Sequence, residues 1–187
     1  AVELRDGGDT WGGKAVGGSL CMEDGQANPR LVSPAFALAA RRAGADIHER
    51  TRVDEIAHDG QFFHLRAGNA LQVKSQVLLN CAGAWANGIA KQFGDAVPMH
   101  SGHPAMAVTE PMPFFMHWSL GVEGGSVYCR QVARGNLVLG GGPGRALDAD
   151  RARSDRASMA VLATQAIELL PVLRHAHFIR TWSGTEG

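Results

Sequence analysis

The residues best placed to do chemistry form one run, Leu78-Leu79-Asn80-Cys81-Ala82-Gly83-Ala84-Trp85. An apolar strand passes directly into small side chains and then into a helix. In an open α/β sheet that passage, at the carboxyl end of a strand, is where ligands bind. Ala82, Gly83 and Ala84 let a flat or phosphorylated ligand approach the backbone, and the following helix N-terminus favours negative charge. Close helix–strand packing without a ligand explains the same small residues, so the motif alone leaves both readings open.

Other chemistry-bearing residues point nowhere specific. His175 and His177, and His100 and His103, lack the accompanying cysteine or carboxylate spacing of a metal site. Ser126 and Ser183 have no nucleophile-elbow context, and nothing activates Cys81 as a thiolate. Gly140-Gly141-Gly142-Pro143-Gly144 follows a strand but has neither the dinucleotide fingerprint nor a following Lys-Ser/Thr, so it reads as a hairpin exit. The three cysteines, Cys21, Cys81 and Cys129, are odd in number, widely spaced and free of any CxxC pair, so neither a disulfide framework nor a zinc site is indicated and a reducing, cytoplasmic compartment is the default expectation.

The elements that must position these residues can be read from pattern. Ser33-Pro34 predicts the start of a helix that ends at Gly44. Ala45–Glu49 reads as a short buried strand. Thr51–His58, Gln61–Arg66 and Leu71–Val73 read as antiparallel strands joined at Asp59-Gly60 and Gly68-Asn69. Val77–Asn80 is a continuous apolar run of the parallel, doubly covered type, followed by a helix over 85–93. Further on, Met106–Thr109 is a strand broken by Pro111 and Pro113, and Ser126–Val132 and Asn136–Leu139 make a hairpin around Ala133-Arg134-Gly135. Met159, Leu162, Ala163, Ala166, Ile167 and Leu170 give one helical face that Pro171 ends, and Phe178–Trp182 is the last strand.

Glycines at Gly7, Gly8, Gly12, Gly13, Gly17 and Gly18 predict loops around short strands at the start. The fold class is therefore mixed α/β, with a parallel-type strand–glycine–helix unit set between antiparallel blocks. Two interleaved domains produce that order. The expected divisions are 1–44, 45–96, 97–176 and 177–187.

The chain has 187 residues with Lys+Arg 18 against Asp+Glu 18, and this balance excludes the basic excess of a nucleic-acid binder. No apolar stretch reaches the roughly 20 residues of a membrane span. Positive charge is nearly all Arg, which suits recognition of carboxylates or phosphates, although high-GC coding produces the same bias.

The ordered set Asp24-Gly25-Gln26-Ala27-Asn28-Pro29, Gly44-Ala45, Asn80-Cys81-Ala82-Gly83-Ala84-Trp85, Val108-Thr109-Glu110-Pro111, Val127-Tyr128-Cys129-Arg130-Gln131, Gly140-Gly141-Gly142 and Arg180-Thr181-Trp182-Ser183-Gly184 resembles the FAD-dependent D-amino-acid oxidase superfamily, in its glycine, sarcosine and opine oxidase branch. The similarity covers nearly the whole chain. It implies part of a Rossmann-like FAD-binding domain interleaved with an antiparallel substrate domain. It also implies FAD as cofactor and a small amine or amino acid as substrate, oxidised at its C–N bond to an imine. By the same resemblance, the backbone at Val53 passes the adenine end of FAD, and Ala82-Gly83-Ala84-Trp85 lies against its ribose and pyrophosphate. Tyr128 faces the substrate, and Trp182 and Gly184 begin the segment that returns to the flavin. Half-buried strand packing is the plainer alternative for Tyr128, and core packing for Trp182.

Two departures matter. The family's GxGxxG loop has no counterpart here, so the chain is expected to be an interior fragment, inactive by itself. Glu186 stands where glycine-oxidase-like members often carry a carboxylate-binding arginine, and a glutamate cannot form that bidentate clamp. Substrates are thereby expected to shift towards sarcosine-, proline- or opine-like secondary amines, with Arg130 as the alternative clamp; a salt-bridged strand residue is the plainer reading of Arg130. Competing functions are a non-catalytic amine-binding module, alone or paired with a partner subunit or second copy, and a flavin hydroxylase.

Overall fold

A computed structural model describes residues 17–124 and 127–187. Gly7, Gly8, Gly12, Gly13 and Ser126, named above, lie outside the described residues. The chain divides into two compact units: Ala27–Ala82, and Gly83–Gly187 together with the described part of Ala1–Gln26.

The unit Ala27–Ala82 opens with helix α1 (Pro29–Arg42). It begins a turn earlier than Ser33-Pro34 predicts. Asn28 is the N-cap, its side-chain oxygen accepting from the Arg30 N–H at 3.1 Å, and Pro29 occupies the first turn. Pro34 lies inside the helix, where it removes one backbone donor without ending it. Strands β1 (Glu55–His58), β2 (Phe63–Ala67) and β3 (Leu71–Ser75) form an antiparallel meander. The β1–β2 turn is set by Asp59, whose carboxylate accepts from the N–H groups of Gln61 (2.9 Å) and Phe62 (2.8 Å) and pairs with His64 at 2.7 Å. These contacts, His64 first, hold the Asp59 carboxyl well below the usual carboxylate range.

Two expected strands are not formed. Ala45–Glu49 and Val77–Asn80 are not strands in the structure, and Val77 and Leu79 are 76% and 83% exposed. A parallel-type apolar run becomes a strand only when neighbours take up its N–H and C=O groups. Among the described residues of this unit, Ala67 alone is buried.

The second unit holds the core. Its five-stranded antiparallel sheet has the order β10-β4-β7-β6-β5, built from β4 (Pro104–Pro111), β5 (Leu120–Gly121), β6 (Val127–Gln131), β7 (Asn136–Pro143) and β10 (Phe178–Ser183). Short strands β8 (Arg145–Ala146) and β9 (Ala152–Arg153) pair separately. Helix α2 (Ala86–Gln92) follows a 3-10 turn at Gly83–Trp85. Helix α3 (Arg156–Leu169) is capped by Asp155, which accepts from the Ser158 N–H at 2.9 Å.

Strand alternation decides which face is sealed. Ala105, Ala107, Val127, Cys129, Leu137 and Leu139 point to one side and are buried with Leu162, Ala166 and Leu170 of the α3 segment. Burial there pushes the Cys129 thiol up to about 12, so it is an inert core group. Gly140, Gly141 and Gly142 lie inside β7 rather than at its exit. At Gly140 the missing side chain makes room for the Tyr128 ring, and Gly141 and Gly142 adopt positive φ (131° and 64°), which suits glycine.

Two buried polar side chains on the sealed side, Thr109 and Gln131, are paired. Thr109 Oγ1 accepts from the Leu137 N–H at 2.9 Å and Asn136 Nδ2 donates to the Thr109 carbonyl at 2.8 Å, bridging the register shift between β4 and β7. The Gln131 amide accepts from the N–H groups of Phe115 and Met116 and donates to the carbonyls of Pro113 and Gly135, tying the 112–116 loop to the β6–β7 hairpin. Gln131→Leu removes the amide from the Phe115 and Met116 N–H groups and the Pro113 carbonyl, while the Gly135 carbonyl keeps the Met112 N–H, for a loss of about 2–4 kcal/mol. Thermal denaturation of the variant should show a midpoint lower by roughly 5–15 °C; a shift under ~2 °C removes the amide from this role.

Candidate functional site

Because residues directly opposite in a ladder share a face, the register defines the side of the sheet away from α3. One row runs Tyr128–Gly140–Met106–Trp182 across β6, β7, β4 and β10. The next row runs Arg130–Val138–Val108–Arg180. With about 4.8 Å between strands, the outer residues of each row stand about 14 Å apart. The result is a trough with aromatic groups in one row, guanidinium groups in the next, and a thioether, a glycine and two valines between them.

Tyr128 and Trp182 are each 37% exposed. The Tyr128 hydroxyl donates to Met106 Sδ at 3.2 Å. Burial, and then the negative charge of Glu186, push the Tyr128 phenol above its ordinary value. The Arg180 guanidinium carbon lies 5.7 Å from the Trp182 ring centroid, a cation–π arrangement that orients it along the face. Carboxylate recognition by guanidinium beside aromatic walls is the chemistry this trough can perform.

A second feature lies where the end of β10 meets the start of β4. Gly102 and Glu186 exchange both backbone hydrogen bonds, at 2.7 and 2.9 Å. The Gly144 N–H donates to the His103 carbonyl at 2.6 Å, and a side chain at Gly144 would collide with Ser183 Oγ. His103 Nδ1, Ser183 Oγ and Thr185 Oγ1 are all buried without a hydrogen-bond partner among the described residues. Gly184 sits between the two orphaned hydroxyls. A Cβ on Gly187 would lie 2.8 Å from the Ala84 Cα, so this segment backs onto the Gly83–Trp85 turn.

Sequence-predicted residues are thus placed unevenly. Tyr128, Arg130 and Trp182 share the open face, and Gly83, Ala84 and Gly184 belong to the neighbouring turn and tail. At Gly83, φ is +55° and an added Cβ meets nothing within 4 Å, which leaves open space over that backbone. The Trp85 indole N–H donates to Asp150 Oδ1 at 3.0 Å and anchors the 147–151 loop. Val53 and Ala82 belong to the other unit. Val53 precedes β1, outside the ladder that Thr51–His58 was expected to form, and is 45% exposed; the Ala82 N–H donates to Asn80 Oδ1 at 3.3 Å.

Met106, Gly140 and Arg180 are site residues that sequence reasoning missed. Only the cross-strand register brings them beside Tyr128 and Trp182, and register is not visible in a single strand's alternation. A further concavity of about 490 Å³ is lined by Asp24, Gly25, Gln26, Phe114, His117 and Trp118. Among the described residues, no group of three or more His, Cys, Asp or Glu side chains is placed to hold a metal, and no helix is long and apolar enough to cross a membrane.

Comparison with known proteins agrees with this architecture. The sequence profile of the FAD dependent oxidoreductase (DAO) family matches residues 2–187. An opine oxidase subunit of Rhizobium meliloti is 26% identical over 173 residues, covering 92% of this chain and 44% of that protein. The beta subunit of sarcosine oxidase from an Arthrobacter species is 28% identical over 158 residues, 82% of this chain and 38% of that protein. The chain therefore spans less than half the length of these relatives. The crystal structure of glycine oxidase from Geobacillus kaustophilus superposes with a TM-score of 0.68 over 83% of this chain and 41% of that one, at 19% identity, which is a likeness of fold.

The phenol offers a direct check on the trough. Tyr128 is the chain's single tyrosine, so the tyrosinate band in the near ultraviolet reports it alone. An alkaline titration should place its midpoint above 10.0, and Glu186→Gln should bring the midpoint back towards that value. A raised folded-state value means that the associated stability is full below the ordinary tyrosine pKa and is lost as pH rises through the folded one. A wild-type midpoint at or below the ordinary value contradicts the geometry of the ring.

Proposed function

Because the chain belongs to the FAD-dependent oxidoreductase (DAO) family, we propose that it provides the substrate-holding part of an enzyme that oxidises the C–N bond of a small, carboxylate-bearing amine. The observation that carries this reading is the pair of rows on the open face, with Arg130 and Arg180 beside Tyr128 and Trp182. The family is FAD dependent, and the residues present suit that group. The open backbone at Gly83 admits a flat or phosphorylated partner, and the orphaned donors and acceptors at His103, Ser183 and Thr185 suit the polar edge of a flavin ring. FAD, when bound, supplies the acceptor for the hydride equivalent removed from the substrate.

The chain's own residues then have distinct tasks. A guanidinium in the Arg130–Arg180 row takes the carboxylate and fixes the substrate's direction along the trough. Val108 and Val138 keep water from the carbon skeleton. Glu186 lies where it cannot clamp a carboxylate, and its charge favours a cationic amine end nearby. Secondary amines of sarcosine, proline or opine type carry the same two charges as glycine with a larger apolar body, which suits the aromatic and valine groups of this face. The opine and sarcosine oxidase relatives are named as subunits, and assembly with a partner subunit is proposed for this protein on that basis.

Anaerobic addition of sarcosine, proline, glycine and an opine to the FAD-loaded full-length protein should bleach the flavin's visible absorption with at least one secondary amine. No bleaching with any amine overturns the reading. Arg180→Ala and Arg130→Ala should each be assayed for steady-state kinetics. The variant that loses the carboxylate contact should raise KM by about 10- to 100-fold, the effect of one charge-assisted hydrogen bond. Unchanged KM in both variants moves carboxylate recognition away from this face.

A further inference from the structure

In a strand, side chains ordinarily stand roughly perpendicular to the sheet. Tyr128 does not. A Cβ built on Gly140 would collide with Cε2 and Cζ of the Tyr128 ring and fall 2.6 Å from Met106 Sδ. The ring therefore lies down across β7, on the space a side chain at Gly140 would fill. Its hydroxyl ends on the Met106 thioether at 3.2 Å, one strand further on. The phenol oxygen is thereby engaged within the sheet and turned away from the space above it.

We infer that Gly140 is the specificity-determining position of the open face, because its missing side chain lets the Tyr128 ring lie flat and serve as an aromatic floor under the substrate. This rests on the reading of the face as the amine site. Upright, Tyr128 would divide the trough and offer a hydroxyl to the substrate. Lying down, it leaves the trough open from β6 to β10 and presents its π-face. Such a floor supports the aliphatic body of an N-substituted amino acid, and its negative face attracts the adjoining ammonium. Polar recognition of the carboxylate is then left to the arginine row. Met106 is a positioning residue, since its thioether holds the ring by the hydroxyl.

Aromatic cover of a strand glycine also stabilises a sheet. Substrate preference, rather than thermal stability, separates the two roles. Gly140→Ala must raise the ring. In the full-length FAD-loaded protein it should raise KM for an opine or proline by about 10-fold relative to glycine, a discrimination of the size one methylene-scale change in a pocket produces. Independently of cofactor and turnover, Gly140→Ala should shift the ring-carbon NMR signals that Tyr128→Phe assigns to Tyr128 and lower its alkaline midpoint towards 10.0. Unchanged tyrosine signals overturn the inference whatever the catalytic result. Shifted signals with an unchanged order of substrates overturn the specificity role and leave a structural one. Shifted signals in a wild-type background that bleaches with no amine place the failure in the functional reading instead. Should Gly140→Ala not fold, Tyr128→Phe and Tyr128→Ala decide the matter: the phenylalanine keeps the preference for bulky secondary amines and the alanine loses it. A preference lost equally in both shows that the hydroxyl, not the floor, selects the substrate.

Discussion

The arrangement depends on one constraint: a five-stranded sheet whose inner face is sealed by α3 together with Met116 and Leu173. Leu137 and Leu139 on β7 and Ala105 and Ala107 on β4 are wholly buried on the same side as Leu162 and Leu170. With the strand period fixed at two, sealing that side forces Tyr128, Arg130, Met106, Val108, Val138, Arg180 and Trp182 to the other. A slip of one residue would exchange the two sets, placing guanidinium groups in the core and leucines in the trough. The paired polar groups at Thr109, Asn136 and Gln131 hold that register where proline and the β4 bulge interrupt the ladder. Site geometry is in this sense a by-product of core packing.

Much of this second unit was legible from residue pattern. Alternation in Val127–Gln131, the turn at Ala133-Arg134-Gly135, and the apolar stripe of α3 each reflect a periodicity imposed by local geometry. The helix from Trp85 was legible from the glycines that bracket it, although Trp85 itself ends a 3-10 turn. What was not legible depended on partners. Val77–Asn80 has the composition of a doubly covered strand, yet a strand needs a neighbouring strand to form a ladder with, and among the described residues no ladder is formed there. Ala45–Glu49 failed for the same reason. The start of α1 was misread because two capping signals compete, and Asn28-Pro29 prevailed over Ser33-Pro34 by adding a further turn.

The site divides along the same line. Tyr128, Arg130 and Trp182 were visible as residue types, and the family resemblance supplied their expected roles. Their joint placement on one face follows from register, which also adds Met106, Gly140 and Arg180. The glycines of β7 are the instructive case. Read as sequence, Gly140-Gly141-Gly142 marks a strand exit; in the sheet, Gly140 marks a place where another side chain lies. Gly83 differs, since its positive φ and the empty space above it belong to a turn that leaves the backbone accessible.

The central claim is that the face opposite α3 receives the substrate. A crystal structure of the FAD-loaded full-length protein with a non-oxidisable, carboxylate-bearing secondary amine tests it most directly. The ligand should lie over Gly140, Val138 and Val108, with its carboxylate on a guanidinium of the Arg130–Arg180 row and its carbon skeleton on the Tyr128 ring. A ligand bound elsewhere, with both rows unoccupied, contradicts the account.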